Sequence, residues 1–295
     1  MKKPNDFSIS NLIIRFAKPE DKEFVLAFTE KTWEWGDYIK HVWDEWLHDE
    51  SGKLFVAEYE GKPIGIMHAA FLPDKSVWLE GLRIHPDYRR KGVAYNLNKF
   101  VIDYLKEAGY KTFRVAIMSW NIPSIKLARK LSFYEVSRWV SLETSLSKLV
   151  NNETPQLCRK EVHLDMDTLW DMVYNSSIYD ASRGLLLYDW KWLNFTKNAL
   201  KELSNKYSTQ ILIRNDDLLA IFRPTPGKYQ LISFVNAKTM RDLRSIATFF
   251  SKFEKRPLST TIEFAFPKNY PHLEKLVDKE LFEVEEIVIM EFKYL

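Results

Sequence analysis

Cysteine is almost absent from this chain: Cys158 is the single thiol in 295 residues. One thiol can form neither an intrachain disulfide nor the thiolate set of a Cys-based zinc site. Charge of one sign is missing as well. The 43 lysines and arginines nearly balance 40 aspartates and glutamates, for a formal net charge of +3. No nucleic-acid partner is expected from such a balance. Long apolar runs are also lacking. No stretch approaches the roughly 20 residues that span a bilayer, and Met1-Lys2-Lys3-Pro4-Asn5-Asp6 has no signal-peptide core. A cytoplasmic protein without a membrane partner is the expectation. The six histidines show no metal-ligand spacing, so no metal is expected.

What the chain has is apolar content, 46% of residues, and enough length for two packed cores. Its most informative run is Arg89-Arg90-Lys91-Gly92-Val93-Ala94, behind Glu80-Gly81-Leu82-Arg83-Ile84-His85-Pro86. From Val93 the apolar residues Leu97, Val101, Tyr104, Leu105 and Ala108 recur at helical spacing, with Asn96, Lys99, Asp103 and Lys106 between them. Gly109 stands where a C-terminal cap belongs. Phe113 to Trp120 reads as the next strand. A basic glycine turn between a strand and a helix can gather backbone N–H groups and the helix dipole on one anion. Gly92 lets a phosphate approach without a Cβ in the way. Taken alone, the same residues also fit a solvated charge run on an ordinary connection.

The wider pattern resembles the GNAT superfamily of acetyl-CoA-dependent N-acetyltransferases. Arg89-x-x-Gly92-x-Ala94 is similar to that family's (Gln/Arg)-x-x-Gly-x-(Gly/Ala) signature. Leu79 to Arg89 looks like its fourth strand and exit. Asn121-Ile-Pro-Ser124-Ile-Lys-Leu127-Ala128-Arg-Lys-Leu131-Ser132-Phe133 resembles its second motif. Phe55 to Ile66 reads as two alternating runs around Gly61, the hairpin the family has in that place. The resemblance covers about residues 12–145. It implies an α/β fold with a mixed sheet, and an acetyl-CoA-binding catalytic domain over residues 10–150.

The second half repeats the first in outline. Asn151-Asn152-Glu153-Thr154-Pro155 reads as a linker. Asp167–Tyr174 and Tyr188–Leu203 look helical. Gln210–Phe222 looks like a hairpin with an Asn-Asp-Asp turn, Tyr229–Val235 like a strand, Lys238–Lys255 like a long helix, and Thr260–Phe266 like a strand. The endings agree most directly. Phe133 to Glu143 reads as a strand pair, and Tyr134-Glu135-Val136 and Phe282-Glu283-Val284 stand 148 positions apart, as do Glu143 and Glu291. No glycine follows Gly227, so this half lacks a phosphate turn of the same kind. Residues 155–295 are expected to form a degenerate second GNAT-like domain, accessory or dimerising, which makes a homodimer possible.

By resemblance, acetyl-CoA is the co-substrate. Its pantetheine arm would pair with Leu82-Arg83-Ile84, and its pyrophosphate would sit on the turn Arg89, Arg90, Lys91, Gly92, Val93, Ala94 and Tyr95. Asn121 and Ser124 would hold the arm from the next helix. Glu80, two residues before Leu82 on a strand and so on the same face, is the candidate base. It would free an amine for direct attack on the thioester. The family's usual tyrosine after Leu127 is Ala128 here. Tyr134 is the nearest phenol in sequence; either it serves as acid, or water or Ser124 protonates the thiolate, or the enzyme is slow. Glu34, Trp35, Asp37 and Tyr38 lie where the family lines its acceptor cleft, and suit an amine of a small molecule or protein through cation–π contact and counter-charge. His68 reads as structural. An N-acetyltransferase follows; the alternative is a non-catalytic acyl-CoA-binding or regulatory module.

Overall fold

The computed structural model describes residues 7–30, 32, 36–150, 158–161, 165–207, 209–214, 217–225 and 227–294. They form two compact units that do not divide at one point of the chain. Unit 1 takes the residues up to Val115, then Ile122–Tyr134 and the chain from Met290 onward; unit 2 takes Ala116–Asn121 and Glu135–Ile289. The linker expected at residues 151–155 lies outside the described residues. Among the described residues no helix is long and apolar enough to cross a membrane.

Unit 1 runs β1 (Ile13–Phe16), α1 (Lys22–Thr29), α2 (Ile39–His48), β2 (Gly52–Tyr59), β3 (Lys62–Phe71), β4 (Ser76–Ile84), α3 (Val93–Glu107), β5 (from Thr112, ending at Met118) and α4 (Ile122–Lys130). Its strand order follows the chain, β1-β2-β3-β4-β5, and the residues from Met290 lie beside β5. β1 through β4 pair antiparallel, while β4 and β5 pair parallel. The hairpin expected around Gly61 is β2–β3, turning through Glu60 and Gly61, both at positive φ. Helices α1 and α2 bury Val25, Phe28, Ile39, Trp43 and Trp46 against Leu54, Val56 and Ile66 of β2 and β3. The tryptophans of α2 are therefore core residues, set three apart so that both face the sheet.

Unit 2 continues with β6 (Tyr134–Ser145, of which it takes Glu135 onward), α5 (Leu146–Leu149), β7 (Arg159–Glu161), α6 (Met166–Tyr174), α7 (Ser177–Ser182), β8 (Leu185–Tyr188), β9 (Lys191–Asn194), α8 (Lys197–Tyr207), β10 (Gln210–Arg214), β11 (Asp217–Phe222), β12 (Tyr229–Ile232), β13 (Phe234–Val235), α9 (Met240–Lys252), β14 (Thr261–Pro267) and β15 (Glu283–Lys293). β15, β6, β14 and β12 are neighbours in that order; β13-β11-β10-β7 is a second sheet and β8-β9 a third.

Three expectations fail here. Residues 188–203 are not one helix. They hold the end of a hairpin, β8–β9, turning at Asp189 and Trp190 with φ 51° and 61°, and then α8, whose first turn is capped by the Thr196 hydroxyl on the Ala199 N–H at 3.1 Å. Phe133 to Glu143 is not a strand pair. From Tyr134 it lies in the single strand β6, which stands between β15 and β14 and pairs with β14 from Ser145↔Thr261 to Trp139↔Pro267. The strand expected over Tyr229–Val235 is broken at Ser233: β12 pairs with β14, and β13 pairs with β11.

Candidate active site in unit 1

The site begins with a fault in β4. Strand β3 pairs Ile66 with Arg83 and His68 with Glu80. Two residues, Gly81 and Leu82, thus face Met67 alone, which is a β-bulge. Gly81 takes φ +68° at its first position, and a Cβ there would lie 2.5 Å from the Trp46 ring. The bulge corrects the expectation that Glu80 and Leu82 share a face by alternation. It places Glu80 directly opposite His68. On the other side, β4 pairs with β5 only at Ser76↔Thr112, Val77↔Phe113 and Trp78↔Arg114. Past Trp78 no further pairing with β5 occurs among the described residues. The stretch from Leu79 to Ile84 is left with an edge able to accept an extended ligand.

The chain then turns through Pro86–Tyr88 into the basic loop. Arg89 donates from Nε to the Ile84 carbonyl at 3.1 Å, so this side chain pins the loop to the strand end. Lys91 lies 5.6 Å from the Tyr88 ring and 5.7 Å from the Phe7 ring. Arg90 is exposed with φ +60°. Gly92 caps α3 at φ +86°, and the first helical bond runs from the Asn96 N–H to its carbonyl. The N–H groups of the residues before Asn96 have no helical acceptor, and they join the positive end of a 15-residue helix. A Cβ on Gly92 would meet nothing closer than 3.6 Å. Glycine is required there by φ, not by space. Val93 is buried under the helix, while Ala94 and Tyr95 are half-buried; Lys130 of α4 lies 4.6 Å over the Tyr95 ring. Ser124 is half-buried in α4. Asn121, just before α4, belongs to unit 2, with its N–H on the Met118 carbonyl.

Glu80 accepts a hydrogen bond across the strands. Its Oε1 lies 2.9 Å from His68 Nδ1. His68, read from the sequence as structural, is thus the cross-strand partner of Glu80. Only the bulge register brings the two together.

On the acceptor side the structure rearranges the expected roles. Glu34 and Trp35 lie outside the described residues. Asp37 does not offer a free carboxylate. It is buried, takes Arg83 Nε at 2.6 Å and Nη2 at 3.3 Å, and accepts the Ile39 N–H at 3.1 Å. Its charge is committed to a bidentate pair that fixes Arg83 of β4 to the start of α2. Tyr38 covers that pair, with Arg83 5.3 Å from its ring centre.

Tyr134 is also committed. Its hydroxyl donates to Glu291 at 3.0 Å. Burial first, and then the Glu291 bond and charge, hold this phenol above its ordinary pKa. The other Glu291 oxygen takes Arg114 Nε at 2.8 Å, and Arg114 reaches Asp74 at 2.7 Å. A phenol raised in this way is a weak acid toward a departing thiolate.

Residues 22–133 match the acetyltransferase (GNAT) family. A histidine N-acetyltransferase of Oreochromis niloticus is 29% identical over 104 residues, 35% of this chain and 31% of that protein. One of Xenopus tropicalis is 25% identical over 154 residues, 49% of this chain and 43% of that protein. The chain thus spans about a third to two fifths of the length of these curated relatives. Two solved structures share the fold over nearly the whole chain. A GCN5-related N-acetyltransferase from Sphaerobacter thermophilus has a TM-score of 0.66 at 13% identity, covering 96% of both chains. A tandem GNAT protein from the clavulanic acid biosynthesis pathway has 0.62 at 10% identity, covering 96% of this chain and 98% of that one. Residues 22–133 of this chain, which hold the bulged strand, the basic glycine loop and the helix behind it, form a domain of the acetyltransferase (GNAT) family.

Proposed function

We propose that this protein is an acetyl-CoA-dependent N-acetyltransferase that acts on a primary amine, with Glu80 as general base. The observation that carries the reading is the juxtaposition on one strand. β4 loses β5 after Trp78, carries Glu80 at the opening, and leads into a glycine-capped basic helix start. Acetyl-CoA brings the acetyl group as a thioester. The backbone of Leu82-Arg83-Ile84 would hold its pantetheine arm, and the amides from Arg90 to Tyr95, with the Arg90 charge, would hold its pyrophosphate. Arg89 and Lys91 shape that loop through the Ile84 carbonyl and the Tyr88 and Phe7 rings. Asn121 and Ser124 are proposed to hold the arm.

Glu80 takes a proton from the ammonium form of the acceptor and so frees the lone pair for attack on the thioester carbonyl. Tyr38 and the Asp37–Arg83 pair shape the wall toward the acceptor. With Tyr134 bound to Glu291, the departing thiolate takes its proton from water or Ser124. The relatives named histidine N-acetyltransferase make the amine of a free amino acid the first acceptor to try.

Residues 155–295 are proposed to be a degenerate second copy that lacks a phosphate loop. Within unit 2, Arg138 of β6 meets Glu286 of β15 at 2.6 Å. These two residues are 148 positions apart, the offset that aligns β6 with β15. The commitment of Tyr134, with Ala128 where the family has tyrosine, favours a second reading in which the protein binds acyl-CoA without turnover.

The test is acetyl transfer to a panel of amines that includes L-histidine, by wild type and Glu80→Gln. Transfer by wild type and a fall of about 100-fold or more in Glu80→Gln support the enzyme, since a positioned base contributes on the order of 10²–10⁴. Acetyl-CoA binding with no transfer to any amine supports the second reading.

A further inference from the structure

We propose that His68, with Asp49 behind it, is the positioning residue of Glu80: it holds one carboxylate oxygen, keeps the group ionised, and sets the pH at which it works. This rests on Glu80 being the base of the acetyl transfer.

His68 is an expensive residue for its place. Its side chain is 1% exposed in the middle of β3, where an apolar residue would cost nothing in desolvation. Two carboxylates reach it. Glu80 Oε1 is 2.9 Å from Nδ1, and Asp49 Oδ2 is 3.7 Å from Nε2. Nε2 is buried and has no hydrogen-bond partner. Among the described residues, those two acids, one from β4 and one from the loop after α2, are the charged groups paired with the ring. Trp46 of α2 and Gly52 of β2 also flank it.

The neighbours fix the ring plane. The Trp46 ring lies 4.5 Å away, 7° from parallel. Trp46 can sit there because Gly81 has no Cβ. Gly52 serves the other edge: a Cβ on it would lie 2.6 Å from His68 Nε2 and 2.7 Å from Asp49 Oδ2. Two missing side chains thus clear the space in which Trp46, His68 and Asp49 meet. Asp49 is held in turn, because its Oδ1 takes the Ser51 N–H at 2.8 Å.

An N–H on Nδ1 donates to Glu80 Oε1 and favours the ionised carboxylate. A locked ring leaves that carboxylate little freedom of rotation, which a base in a cleft needs if it is to meet a proton at the right angle. Asp49 stands at the opposite edge of the ring, 3.7 Å from Nε2, and backs the ring against Glu80.

The experiment is a carbon NMR titration of the full chain labelled at glutamate side-chain carboxyls, with Glu80→Gln identifying the Glu80 signal. His68→Phe keeps a ring for Trp46 and removes the donor. It is expected to raise the pH at which the Glu80 carboxyl titrates by about one unit. His68→Gln, which returns a side-chain N–H, is expected to bring it back toward wild type. Asp49→Asn leaves the ring in place and keeps an oxygen for Ser51; it is expected to move the same midpoint upward by less. A Glu80 midpoint that is the same in wild type, His68→Phe and Asp49→Asn overturns the proposal. Failure of the Glu80 reading appears elsewhere: acetyl transfer undiminished in Glu80→Gln would place the base on another residue, whatever the titration shows.

Discussion

Gly81→Ala is the perturbation in which the strand geometry has the largest computable consequence. Two costs add. An L side chain at φ +68° loses about 1–2 kcal/mol relative to glycine. The new methyl would lie 2.5 Å from Trp46 Cζ3 and 2.6 Å from Cη2. Trp46 has nowhere to go. It is 7% exposed, stacked on His68 and edge-on to Tyr38 at 6.0 Å. Overpacking of that kind costs about 1–3 kcal/mol. Reduced freedom of the unfolded chain returns about 0.4–1 kcal/mol. The net expectation is a loss of about 1–5 kcal/mol, centred near 3. Gly61→Ala separates the two costs. Gly61 sits at φ +76° with nothing within 4 Å of a built Cβ, so it carries the backbone cost alone, about 1 kcal/mol. Urea unfolding followed by tryptophan fluorescence measures both, with equal slopes expected. If Gly81→Ala costs no more than Gly61→Ala, the close approach of β4 to Trp46 is wrong, and the packing that orients His68 falls with it.

Three further outcomes follow from other parts of the chain. Arg114→Met removes the cation between Asp74 and Glu291, whose side chains are 3% and 12% exposed; a loss of about 3–5 kcal/mol is expected at pH 7, read by the same urea assay, and a loss below 1 kcal/mol would count against the buried network. Glu263 of β14 is pushed up to about 7, mainly by burial, so its folded-state stabilisation is present below its unfolded value and is lost as pH rises through about 7. Glu263→Gln should therefore gain on wild type in stability between pH 5 and 8, by up to about 3 kcal/mol, and a constant difference over that range would contradict the assignment. Cys158 is pushed up to about 11 by burial, and its thiol should resist iodoacetamide at pH 8 until the protein is denatured; rapid labelling of native protein would refute its burial.

What could be read from the chain alone is what is local. The glycine-capped basic turn into α3 is legible because Gly92, Arg89–Lys91 and the apolar spacing of α3 lie within 20 residues. The β2–β3 hairpin was legible because Gly61 marks its turn. The hairpin of β8 and β9 was not, because Asp189-Trp190 takes positive φ without glycine or asparagine. β6 reads as a pair because its real partners, β14 and β15, are both over a hundred residues away. The site divides in the same way. Glu80 can be proposed from its place on β4 alone. His68 was missed because strict alternation cannot anticipate the bulge at Gly81 that sets it opposite Glu80. Asp37 was assigned to the acceptor because nothing near it in sequence reveals Arg83, 46 positions on, as its partner.

The loop from Arg89 to Tyr95 is proposed to bind the pyrophosphate of acetyl-CoA. Calorimetric titration of wild type and Gly92→Val with acetyl-CoA tests it most directly, with circular dichroism as the check on folding. A Val at φ +86° cannot keep the cap of α3, so the account predicts binding by wild type and none by a folded Gly92→Val. No binding by wild type, or equal binding by both, would contradict it.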